Sequence, residues 1–181
     1  MSIQTVTKAD VLRHFLARDI VKYPSQASEL TDILTIGADE EFTTRLRDFA
    51  AGHDNGSPVY TWTGLNANQH HMSVVRWILV PSIDVREVYS KRINSNLEAP
   101  LQRERGNLAR LAAFVPSDPV LQGEFDIHRR PATDEERTII GVKHPCEGRQ
   151  GSIELIDGAH RFVAMVSAGI GEVPAYLAEL K

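Results

Sequence analysis

Apolar positions recur at helical spacing through the first part of the chain. In "KADVLRHFLARDI", Val11, Leu12, Phe15, Leu16 and Ile20 fall on one face of a helix. Thr7 or Asp10 supplies its cap. "SELTDILTI" and "ADEEFTTRLRDFAAG" read as two more helices. The latter opens on Asp39, Glu40 and Glu41, which suits the positive end of a helix dipole, and closes near Gly52. "HDNGSP" gathers turn formers and marks the boundary between this helical part and the rest. Beyond it the period changes. "VYTW" alternates as a strand does, and "VVRWILVPSIDV" reads as a buried strand broken by Pro81. "LQRERGNLARLAAFV" sets Leu101, Leu108, Leu111 and Ala112 at helical spacing, with Gly106 weakening its middle. "PSDPVLQGEFD" and "CEGRQG" read as loops, and "DEERTIIGV" as a short helix entering a strand. "SIELIDG" is a strand, "AHRFVAMVSAG" a helix ended by Gly169, and "VPAYLAEL" a closing strand or strand–helix edge. This succession predicts an α+β fold with a small sheet and a helical N-terminal part.

The 181 residues suit one domain, or a compact domain with an extension, and a hydrophobic fraction of 42% supports a core without disulfides. No apolar run is long enough to span a membrane, so no membrane insertion is expected. The opening "MSIQTVTKADVLRHF" lacks a basic and then apolar leader pattern. A single cysteine, Cys146, rules out an internal disulfide framework and fits a reducing cytoplasm. The net charge of −4 excludes a globally basic nucleic-acid binder. The charge is unevenly spread, however. Residues 1–54 carry six Lys/Arg against nine Asp/Glu, and the basic groups lie beyond them. One group is Arg86, Lys91, Arg92, Arg103, Arg105 and Arg110; another is Arg129, Arg130, Arg137, Lys143 and Arg149. A local basic surface for DNA and an ordinary solvated surface both fit that pattern.

The chemistry concentrates in "IDGAHRFVAM". Gly158 allows a tight turn and close approach of a ligand. The N–H groups around Ala159, His160 and Arg161 lie at a helix start, where they and the dipole favour anions. Arg161 adds a planar cationic fork suited to phosphate. His160 can donate to phosphate or carry a proton. Asp157 can hold Mg²⁺ directly or through water when phosphates supply the other ligands. The same residues also read as a capped helix start, with Asp157 as the cap and Arg161 paired to a carboxylate such as Glu154. Residues alone leave both readings open.

The stretch "IELIDGAHRFVAMVSAGIGEVPAYL" resembles the signature of the ParB/sulfiredoxin superfamily. That signature is a strand, a D-G-x-H-R or G-x-x-R turn, an Ala-rich helix, a Gly and a "VP" strand. Asp157, Gly158, His160, Arg161, Ala164, Gly169, Val173 and Pro174 match in that order. The likeness covers the C-terminal part only. It implies a ParB/sulfiredoxin-like domain over residues 73–181 and a helical N-terminal extension over 1–72. It further implies that Gly158, Ala159 and Arg161 bind nucleotide phosphates, with ATP and Mg²⁺ as cofactors. Arg103 and Arg105 are candidates to reach phosphate as well. Sulfiredoxins place a cysteine where this chain has Ala159, so the resemblance does not extend to thiol chemistry. Partition proteins carry a helix-turn-helix after the nucleotide domain, and this sequence ends at the "VPAYLAEL" strand.

In size and order of segments the whole chain is similar to plasmid-encoded oncogenic suppression proteins. That likeness implies an ATPase and DNase that blocks DNA export through a type IV secretion system. In that reading Asp157, His160 and Arg161 are catalytic. The rival reading is a nucleotide-gated module that docks on a transfer-apparatus protein without hydrolysis. A kinase acting on a small molecule or protein is a third.

Other constellations carry less. His70 and His71 are adjacent and point apart on any regular element. His144-Pro-Cys146 is half of a metal site with nothing spaced to complete it. No Walker loop is present. Trp62 and Trp77 read as core. Arg103, Glu104 and Arg105 read equally as a solvated helix face.

Overall fold

The computed structural model describes residues 2–20, 24–51, 74–91, 93, 97–114, 133–144 and 153–180. The expectations placed on "HDNGSP", "VYTW", "PSDPVLQGEFD" and "CEGRQG" lie outside the described residues, as do those on Trp62, His70, His71 and Cys146. The chain divides into two compact units, Val6–Ser73 and Met1–Thr5 with Val74–Lys181.

The first unit is built on three helices, α1 (Lys8–Asp19), α2 (Ala27–Leu34) and α3 (Asp39–Ala51). Thr7 and Asp10 share the capping of α1. The Thr7 hydroxyl accepts from the Asp10 N–H at 3.1 Å, and the Asp10 carboxylate accepts from the Thr7 N–H at 2.8 Å. Two orphan donors are thereby satisfied in one reciprocal box. The apolar stripe does bury: Val11, Phe15, Leu30, Ile33, Phe42 and Leu46 are all core residues. Arg13 ties the turn between α2 and α3 to α1. Its guanidinium donates to the Ile36 and Gly37 carbonyls, each at 3.1 Å, and to Asp39 Oδ1 at 2.7 Å. The same group sits 4.5 Å above the Phe42 ring.

The second unit is mixed α/β. Among the described residues its sheet has six strands: β1 (Gln4–Val6), β2 (Val74–Asp84), β3 (Val88–Tyr89), β4 (Ile139–Lys143), β5 (Ile153–Asp157) and β6 (Glu172–Leu180). Their order in space is β1-β2-β6-β4-β5-β3. β2 pairs antiparallel with β6, β6 parallel with β4, β4 antiparallel with β5, and β5 parallel with β3. Among the described residues four short α-helices accompany it: α4 (Glu98–Arg103), α5 (Leu108–Leu111), α6 (Asp134–Arg137) and α7 (Ala159–Ser167). One hydrophobic core joins Ile153 and Leu155 of β5, Leu177 of β6, Leu108 of α5, and Phe162 and Met165 of α7.

Two expectations are corrected. Pro81 does not break its strand. β2 runs on to Asp84, and the register slips by one residue between Val80 and Ile83. Proline is accommodated because the bulge excuses that stretch from the regular ladder. The helix expected over 101–115 is interrupted after Arg103. Arg105 (φ 54°) and Gly106 (φ 80°) are both left-handed, and Asn107 then caps α5 by accepting from the Arg110 N–H at 2.9 Å. A side chain on Gly106 would lie 2.5 Å from the Ser90 carbonyl oxygen, so only glycine lets the turn approach the segment after β3.

Candidate functional site

The Asp157–Arg161 turn forms where β5 ends and α7 begins. An extra residue bulges β5 just before the turn: Gly141 pairs with Leu155 and Ile140 with Asp157. Such a bulge re-aims the residues that follow it. Gly158 then takes the left-handed conformation (φ 88°, ψ 29°) and is itself the N-cap of α7, with no side-chain cap. The alternative reading of Asp157 as the cap is therefore corrected. Asp157 is the last residue of the strand, one position earlier. The Phe162 N–H closes the first helical turn on the Gly158 carbonyl at 2.8 Å.

Gly158 is explained by its neighbour as well as by its φ. A Cβ at that position would lie 2.5 Å from Arg161 Nη2, 3.2 Å from Cζ and 3.4 Å from Nε. The Arg161 guanidinium thus lies folded back across the turn, in the space that the missing side chain leaves. It is 3.7 Å from Asp157 Oδ2, and the two side chains are only 9% and 15% exposed. A buried cation at a helix N-terminus adds to the positive end of the dipole instead of opposing it. Asp157 offsets that charge, and an incoming anion would meet two converging positive sources. His160 flanks this pair. Its Nε2 is buried and has no hydrogen-bond partner among the described residues.

The turn fits a phosphate better than a protein-held Mg²⁺. The Asp157 carboxylate faces a guanidinium, and a dication there would have to displace it. Among the described residues no group of three His, Cys, Asp or Glu is placed to hold a metal ion. Arg103 and Arg105 stand apart from the turn's ion pair. Both are exposed, at the end of α4 and in the left-handed turn that follows. That turn is tied to Ser90 by the Ser90 N–H donating to the Gly106 carbonyl at 2.9 Å.

A second polar cluster is absent from the sequence reading. Glu154, read there as a possible partner of Arg161, is a buried carboxylate, 5% exposed, that gathers three donors. Lys91 Nζ and His144 Nε2 each lie 2.9 Å from Glu154 Oε2, and the Tyr89 hydroxyl 3.3 Å from the same oxygen. The sheet register brings them together: Tyr89 and Val142 both pair with Glu154. Lys91 and His144 lie two positions beyond these, just past the ends of β3 and β4, and both reach the same carboxylate oxygen. The one signal in the sequence is a glutamate set between Ile153 and Leu155 in a short apolar strand.

No described helix is long and apolar enough to cross a membrane. No protein-family model, no curated protein and no solved structure matches this chain.

Proposed function

We propose that this chain is a phosphate-binding protein of the ParB/sulfiredoxin kind, with the phosphates of ATP held at the Asp157–Arg161 turn. The observation that carries this reading is the convergence of a buried guanidinium and a helix N-terminus on a left-handed glycine. Backbone N–H groups at such an end take phosphate oxygens, and Arg161 is the planar donor that matches them bidentately. Asp157 holds Arg161 in the turn until an anion arrives, and binding exchanges one negative partner for another. The resemblance of residues 153–177 to the superfamily signature supports ATP as the source of the phosphate.

Likeness to plasmid-encoded oncogenic suppression proteins extends the reading to hydrolysis of ATP and DNA phosphodiesters, and to blockade of a type IV secretion system. Both bonds pose the same problem, charge on non-bridging oxygens, which Arg161 and the N–H groups would meet. One observation favours hydrolysis over binding alone. The buried His160 Nε2, without a hydrogen-bond partner among the described residues, is a ring nitrogen available to carry a proton.

The test is ATP binding, phosphate release and DNA cleavage, each with and without Mg²⁺, on wild type, Arg161→Ala and His160→Ala. Arg161→Ala should weaken ATP binding roughly tenfold or more, the worth of a charge-assisted contact. His160→Ala should bind and not turn over. If wild type fails to bind ATP, or Arg161→Ala binds as wild type does, the proposal is wrong.

A further inference from the structure

A cleft of about 400 Å³ opens where β2 begins and β4 and β6 end, lined by Val75, Arg76, Lys143, His144, Glu179 and Leu180. It lies at the far end of β4 from the Asp157 turn. Asp157 pairs with Ile140, whereas Lys143 pairs with Ile153 and Glu179. Its volume suits a small molecule.

The wall residue His144 is the one that Glu154 holds. The Lys91 ammonium 2.9 Å away favours the carboxylate form of Glu154, which only accepts hydrogen bonds. The ring nitrogen facing it, Nε2, therefore carries the hydrogen. In that tautomer Nδ1 is the lone-pair nitrogen, and it has no hydrogen-bond partner among the described residues. This is the arrangement in which a buried carboxylate fixes the tautomer of a histidine that exchanges protons through its other nitrogen. The cleft also carries cations. Arg76 Nε is bonded to Glu179, while Lys143 is exposed and has no ion pair among the described residues. Two cations against one carboxylate leave the lining positive.

We propose that this cleft is a binding site for a small organic anion, a carboxylate or a phosphate monoester. Lys143 and Arg76 hold the anionic group, and His144, oriented by Glu154, accepts a hydrogen bond at Nδ1 from a hydroxyl of the ligand. The site is independent of the Asp157 turn and stands whether or not that turn binds ATP.

The experiment is an NMR titration of the full ¹⁵N-labelled chain with inorganic phosphate and, separately, with acetate. The readouts are the backbone amides of Lys143 and His144 and the histidine ring nitrogens. Free protein should show His144 as the Nε2–H tautomer. Each anion recognised should give saturable shifts at Lys143 and His144, weakened roughly tenfold in Lys143→Gln, the loss of one charge-assisted contact. Lys143 is exposed, so that variant keeps its fold, and its spectrum shows whether it has. Saturation with phosphate alone identifies a phosphate site, and saturation with both a general anion site. Shifts confined to His160 and Arg161, no saturation at His144 with either anion, or saturation unchanged in Lys143→Gln would each overturn the proposal.

Discussion

Gly158→Ala separates two reasons for a glycine, and Gly169→Ala provides the control. Both glycines are left-handed, at φ 88° and φ 89°. A Cβ on Gly169 meets nothing within 4 Å, whereas a Cβ on Gly158 meets Arg161 Nη2 at 2.5 Å. The left-handed conformation costs an L-residue about 1–2 kcal/mol. Alanine returns about 0.4–1 kcal/mol by restricting the unfolded chain. Gly169→Ala should therefore destabilise by about 0.5–1 kcal/mol. Gly158→Ala carries the same balance and must also expel the guanidinium. The end of an arginine side chain moves easily, so the clash itself is cheap. What is lost is the placement of a buried charge beside Asp157, worth about 1–3 kcal/mol. The sum for Gly158→Ala is about 1.5–4 kcal/mol. Urea unfolding followed by circular dichroism measures both, provided the m-value is unchanged. ATP binding should fall in Gly158→Ala and hold in Gly169→Ala. Equal destabilisation of the two variants would refute the placement of Arg161 over Gly158.

Three more outcomes are expected. Arg13→Ala should cost the helical unit about 2–3 kcal/mol by unfolding, since it removes the donors to Ile36, Gly37 and Asp39 together. Arg13→Lys should recover little of this, because one ammonium cannot serve three acceptors in a fork. Asp84 accepts from the Arg86 side chain and then from its backbone N–H, and these hold its carboxyl down at about 2. A group lowered on folding contributes above its unfolded value and loses that contribution as pH falls through its folded one. The Asp84 carboxyl carbon should titrate near that value by NMR and return to the ordinary carboxylate range in Arg86→Ala. Lys8 is lowered from its ordinary value by burial and then by Arg47. The unfolded chain holds that proton more tightly, so stability should rise with pH as folded Lys8 releases it. Comparing unfolding of wild type and Lys8→Met at alkaline pH should show the rise only in wild type.

What was legible in the sequence was local. The capping box of Thr7 and Asp10 spans four positions, and the strand, turn and helix around Gly158 announce themselves by a change of apolar period. The Asp157–Arg161 pair is one helical turn apart, so its meeting needs nothing beyond that turn, although the sequence suggested Glu154 as the carboxylate for Arg161. The Glu154 cluster is different in kind. Its partners Tyr89, Lys91 and His144 come from 65, 63 and 10 positions away. Only the order β4-β5-β3 brings all three to one carboxylate. A buried carboxylate without donors costs several kcal/mol, so Glu154 inside an apolar strand already demanded partners that the sequence could not name. Pro81 and Arg105 follow the same logic. Each breaks a local rule, and each is accommodated by geometry that a one-dimensional pattern does not carry, a bulge in one case and a left-handed turn packed on Ser90 in the other. The residues that break local rules thus mark where long-range structure decides, and Glu154 is the one among them with a cleft beside it.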